Sequence, residues 1–172
     1  MYAIATDLAD AVEGIDVKTL VVVEESPEFK GELVFQPFQN EQIFFELYQD
    51  WLSRYLILNQ LFVLDDFVRQ LESDGYTVVF GESARPLLEG YERWRKPLDI
   101  KGFHAPGGGS LYEYQVFSLN RALERMELPE ANDRTYFCGW CPGAGKSVFA
   151  CAGAQEAINR GQVDLVLAFT LM

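Results

Sequence analysis

Gly143-Ala144-Gly145-Lys146-Ser147 gathers the residue types that handle phosphate. Two glycines let backbone N–H groups curl around anionic oxygens, the Lys146 ammonium supplies a point charge, and the Ser147 hydroxyl can ligate Mg2+. A nucleotide is the expected ligand and Mg2+ its counter-ion. The strict phosphate-loop pattern also asks for glycine five positions before Gly145, where this chain carries Trp140.

Such a loop needs a strand to deliver the chain and a helix to receive it. Tyr136-Phe137-Cys138 predicts the end of a short apolar strand, and Val148 to Ile158 predicts the helix. Val163-Asp164-Leu165-Val166-Leu167-Ala168-Phe169 predicts a second buried strand, so a βαβ unit is expected. One helix upstream, Leu111-Tyr112-Glu113-Tyr114-Gln115 opens a segment continuing through Val116, Leu119, Ala122 and Leu123. The Gln115 amide presents a donor and an acceptor in one plane, which matches the edge of adenine, and Tyr114 or a neighbour could cover the purine face. Taken alone, a Gln on an amphipathic helix is far more often a solvated side chain.

Taken together, Leu111-x-x-Tyr114-Gln115, Gly143-Ala144-Gly145-Lys146-Ser147 and the Val163–Phe169 stretch resemble the start of the first motor domain of superfamily-two helicases, the Swi/Snf-like branch in particular. Viral helicase-like proteins are a source such a chain would fit. The resemblance covers roughly residues 111–172 and implies an incomplete RecA-like P-loop half-domain. It implies adenine recognition by Gln115, phosphate cradling by Gly143, Ala144 and Gly145, contact with the β- and γ-phosphates by Lys146, and Mg2+ coordination by Ser147. Trp140-Cys141-Pro142 stands where the family commonly has an acidic pair, and Ser147 replaces the commoner Thr. The family's acidic magnesium motif and second motor domain lie further on, whereas only 25 residues follow Ser147 here. The expectation is therefore the front part of an ATP-dependent helicase or nucleic-acid translocase. Its parent would be an ATPase, this chain alone would bind nucleotide weakly without turnover, and no catalytic base can be named. Nucleic acid would be held only through the remainder of the motor.

The rest of the chain must hold this apparatus. It has 172 residues, 49% of them hydrophobic, which predicts packed α/β structure rather than disorder. Leu20-Val21-Val22-Val23, Glu32-Leu33-Val34-Phe35-Gln36 and Tyr76-Thr77-Val78-Val79-Phe80 predict three strands. Asn40 to Glu72 predicts a long helical region stopped by Asp74-Gly75. Its middle, Tyr55 to Leu64, is apolar nearly all round, and must be buried on several sides or break into two helices. A helix capped by Ser83 carries Leu87, Leu88, Tyr91 and Trp94. Pro97, Gly102, Pro106 and Gly107-Gly108-Gly109-Ser110 mark a linker. The expected organisation is a small acidic α/β accessory domain (1–95), a Gly/Pro-rich linker (96–110) and the half-domain (111–172).

The net charge of −12 is concentrated early: residues 1–110 carry 19 acidic and 9 basic side chains. By itself this portion would repel nucleic acid. The clusters Asp7/Asp10/Glu13/Asp16, Glu24/Glu25/Glu28 and Asp65/Asp66 support an alternative, a non-enzymatic module that docks a basic DNA-binding partner by imitating phosphates, although scattered solvated acids are commoner. Arg93-Trp94-Arg95-Lys96, the one basic run, reads as a solvated helix end, and Phe44, Phe45, Tyr48, Trp51 and Tyr55 read as core. Cys138-x-x-Cys141 has redox spacing but lies inside the phosphate loop. A zinc set of His104, Cys138, Cys141 and Cys151 has only one pair at ligand spacing. No basic leader with a long apolar run opens the chain and no stretch approaches a membrane span, so an intracellular protein is expected.

Overall fold

A computed structural model describes residues 2–129, 136, 138 and 142–166. The chain is α/β, and it divides into two compact units, Met1–Glu92 and Arg93–Met172.

The first unit is built on a four-stranded sheet of order β1-β4-β2-β3, from β1 (Ile4–Ala5), β2 (Leu20–Glu25), β3 (Leu33–Pro37) and β4 (Thr77–Gly81). β4 runs parallel to both of its neighbours, with Ile4 opposite Phe80 and Val21 opposite Val78. β3 is antiparallel to β2, pairing Val23 with Phe35. The branched run of β2 buries Leu20, Val21 and Val23 almost completely, as a strand packed on both faces requires. The Glu25 carboxylate accepts the Gly31 N–H at 2.8 Å and steadies the β2–β3 turn. β1 was not foreseen, because two residues carry no periodicity.

The helical region over 40–72 breaks into two helices, one of the two outcomes expected of it: α2 (Glu41–Tyr48) and α3 (Leu64–Ser73). Between them the apolar stretch leaves helical geometry and runs beside β3. Phe35 N–H donates to Leu56 O at 2.9 Å and Leu58 N–H to Leu33 O at 3.0 Å, while Ile57 bridges Val34. The cause is the exposed edge of β3, whose polar backbone groups need partners. An extended segment supplies them and still buries Leu52, Leu56, Ile57 and Leu58. Leu61–Val63 then makes a single 3-10 turn into α3, whose buried residues Leu64, Phe67, Val68 and Leu71 form one helical stripe. Phe67 meets Phe35, Tyr48 and Trp51 with ring centroids 4.8, 5.6 and 5.4 Å away. Tyr48 and Phe44 are buried as expected, whereas Tyr55 at the end of that stripe stays 44% exposed.

The acidic clusters are partly consumed by local structure. Asp7 accepts the Ala9 N–H ahead of the single-turn helix α1 (Leu8–Ala11), Asp16 accepts the Lys18 N–H, and Asp65 accepts the Tyr2 hydroxyl at 2.6 Å.

Leu87, Leu88, Tyr91 and Trp94 of α4 (Arg85–Trp94) are buried. The unit boundary falls in its last turn, and the basic run there is not merely a solvated end. Within the second unit, Glu124 accepts the Trp94 indole N–H at 2.6 Å and pairs with Arg93 at 2.7 Å, while Arg121 lies over the Trp94 ring. Two long helices form the body of this unit, α5 (Glu113–Met126) and α6 (Lys146–Asn159). Part of the expected linker over 96–110 packs on these helices. Ile100 is buried with Leu119, Leu123, Ala152 and Ala157, and Leu98 and Phe103 pack against the same cluster. Apolar side chains at three positions give residues 98–103 a reason to fold onto the helices, while Gly107-Gly108-Gly109-Ser110 stays exposed.

Of the expected βαβ unit the helix is present as α6, and both expected strands lie in part outside the described residues. Among the described residues of the second unit there is no strand. Tyr136 and Cys138 are not in strand geometry, and neither are Val163 to Val166, with Leu165 73% exposed. Phe137 and Leu167–Phe169 lie outside the described residues, as do Trp140 and Cys141.

Candidate phosphate-binding site

Gly145 is the N-cap of α6 and lies in the left-handed region at φ 77°, and Gly143 lies there too at φ 84°. Two left-handed residues separated by one ordinary residue make a tight curl that only glycine enters cheaply. The curl delivers the chain into a 14-residue helix whose first two positions are Lys146 and Ser147, both solvent-exposed. Gly145, as the cap residue, has no side chain to offer the first turn of α6. The first-turn N–H groups of a helix have no intrahelical acceptor, and the aligned peptide dipoles place positive potential there. Lys146 adds a full charge, and the Ser147 hydroxyl stands in the same turn. This is a cradle for an anion, with a hydroxyl able to serve a divalent cation.

α5 closes the cradle from behind. The Tyr114 hydroxyl donates to Ala144 O at 2.9 Å, and Gln115 Nε2 donates to the same oxygen at 3.3 Å. The sequence paired this helix with the loop through a shared ligand, and the structure brings them into direct contact. Gln115 is only 3% exposed. Its Oε1 accepts the Tyr112 N–H at 2.9 Å, so that the third residue of α5 satisfies the backbone donor just ahead of the helix. Tyr112 is 68% exposed and its ring lies parallel to that of Tyr114, 5.8 Å away. Sequence reasoning missed the role of Tyr114 as a hydroxyl donor to the loop, and nothing in its local pattern announces it.

A cavity of about 360 Å3 also lies along α5 and α6, lined by residues such as Leu119, Leu123, Met126, Phe149 and Val166. Its lining is apolar, unlike the cradle. Cys151 is an exposed free thiol and Cys138 a half-buried one. Among the described residues no group of three His, Cys, Asp or Glu side chains is placed to hold a metal, and Cys141 of the zinc set lies outside them. Among the described residues no helix is long and apolar enough to cross a membrane.

No known protein family matches this chain, and no curated protein or solved structure is significantly similar to it.

Proposed function

We propose that the chain binds the phosphates of a nucleoside triphosphate, ATP with Mg2+, in the cradle formed by Gly143, Ala144, Gly145, Lys146 and Ser147. The observation that carries this is the double left-handed turn at Gly143 and Gly145 leading straight into α6 with Lys146 and Ser147 in its first turn. A helix start alone is common; a helix start preceded by this turn and armed with Lys and Ser matches what triphosphate requires. The wider reading is that the chain forms part of an ATP-dependent Swi/Snf-like helicase or nucleic-acid translocase, supported by the motif order in the sequence.

Because the cradle is open to solvent, its electrostatic contacts are screened and the expected affinity is modest. A dissociation constant for Mg·ATP of about 0.1 mM, or ~5.5 kcal/mol, is the expected outcome of titration calorimetry. Lys146→Ala should remove most of the measured heat. Binding indifferent to Lys146→Ala would place the nucleotide elsewhere and end this reading.

The charge division favours a second reading for the first unit alone. Residues 1–92 carry 18 acidic and 5 basic side chains, whereas residues 93–172 carry 8 and 9. Such a surface suits a protein partner with a basic face. Its association should weaken steeply as salt is raised and on neutralising Glu24 and Glu28, which affinity measurements across a salt series would read.

A further inference from the structure

The side chain best placed to read a base beside this cradle is already occupied. Reading adenine takes an amide that turns one donor and one acceptor toward the ligand. In Gln115 one oxygen lone pair holds the Tyr112 N–H at 2.9 Å and one of the two amide N–H groups holds Ala144 O at 3.3 Å, and burial shuts off what remains of the amide. The group is 3% exposed, and a Cβ added at Gly145 would run into Gln115 Nε2. The amide is therefore flush against the loop backbone, with no gap for a purine edge.

Holding the Ala144 carbonyl has a consequence for the cradle. In a trans peptide the C=O and the following N–H point in opposite directions. Tyr114 and Gln115 draw the Ala144 oxygen toward α5, and this aims the Gly145 N–H away from α5. The same two hydrogen bonds keep a carbonyl oxygen from turning onto an anion. Resting on the phosphate-site reading above, we infer that Gln115 and Tyr114 are positioning residues that set the orientation of the Ala144–Gly145 peptide, and that the site takes nucleoside triphosphates without regard to the base.

Calorimetry on the full chain with Mg·ATP, Mg·GTP and Mg·tripolyphosphate tests this. ATP and GTP should bind within about threefold of one another, the spread of a fraction of a kcal/mol. Gln115→Met keeps the volume but removes both hydrogen bonds, and Tyr114→Phe removes only the hydroxyl. Each should weaken both nucleotides and tripolyphosphate by a common factor of about three to ten, the worth of one or two net hydrogen bonds. The melting temperature of Tyr114→Phe should stay close to that of the parent. An affinity loss matched by a general loss of stability in both variants would overturn the positioning role. A preference for ATP over GTP of about tenfold or more that disappears in Gln115→Met would make Gln115 a base reader and overturn the inference while leaving the phosphate site standing. Failure of all three probes to bind would remove the phosphate site itself, and this inference with it.

Discussion

Gly143 and Gly145 both take positive φ, but alanine at the two positions would meet different obstacles. At Gly143 nothing lies within 4 Å of an added Cβ, so Gly143→Ala carries only the cost of left-handed backbone, about 1–2 kcal/mol. At Gly145 the same backbone cost is joined by a collision with Gln115 Nε2, whose side chain is locked by its own hydrogen bonds. Gly145→Ala is therefore expected to be the more damaging, displacing Gln115 and turning the Ala144 peptide. Urea unfolding of both variants, with Mg·ATP titrations alongside, would check the order. Equal effects at the two positions would mean that Gln115 yields easily and that its packing against the loop is loose. The glycines are legible in the sequence as a motif, but the difference between them is not, since it depends on a side chain some 30 residues away.

α2 and α3 are joined by a contact that responds to pH. The Tyr48 hydroxyl donates to Asp74 Oδ2 at 2.8 Å, and Gln70 Nε2 donates to the same carboxylate at 3.0 Å. Hydrogen bonds from Gln70 and then Tyr48 hold the Asp74 carboxyl below its ordinary value. Burial, reinforced by the bond to Asp74, pushes the Tyr48 phenol well above its ordinary value of 10.0. A carboxyl with a lowered folded-state pKa contributes stability at neutral pH that is lost as pH falls through the carboxylate range, about 4. A phenol with a raised folded-state pKa contributes stability that is complete below pH 10 or so and is lost as pH climbs beyond it, because the unfolded chain ionises first. Tyr48→Phe should lower stability at neutral pH and flatten the dependence on both sides. Melting temperatures recorded from about pH 3 to 11 would show this; an unchanged profile would mean that Asp74 is served by Gln70 alone. The sequence placed Tyr48 in the core and Asp74 at the helix stop. It could not pair them, because the intervening chain leaves helical geometry to edge the sheet.

Charge is the property that belongs to the molecule as a whole. With an excess of 13 negative charges on residues 1–92 and an excess of one positive charge on residues 93–172, the chain should be repelled by a phosphate backbone at ordinary salt. No complex with duplex or single-stranded DNA is expected in a mobility-shift assay near 0.15 M salt, where the screening length is about 8 Å. A clear shift there would show that local basic surface outweighs the total charge. Several of the acids have structural work: Asp7, Asp16 and Glu25 hold local backbone N–H groups, and Asp65 holds the Tyr2 hydroxyl. This accounts for part of the acidity without any ligand.

What the sequence determined by itself is what nearest neighbours decide. The branched run Leu20-Val21-Val22-Val23, the apolar stripe of α3, the Asp74-Gly75 stop and the glycine turn into α6 all follow from local sterics and helical or strand periodicity, and each stands in the structure where the residues put it. Tertiary structure decided the rest through backbone groups and apolar faces that needed partners from elsewhere. The free edge of β3 drew residues 56–58 out of a helix, and Ile100 drew a glycine- and proline-marked segment onto α5 and α6. Of the stretch Val163–Phe169, Val163 to Val166 are not in a strand, and the rest lies outside the described residues. Gln115 follows the same logic: its type was legible as a possible base reader, but only the packing of α5 against the loop turned its amide toward Tyr112 and Ala144.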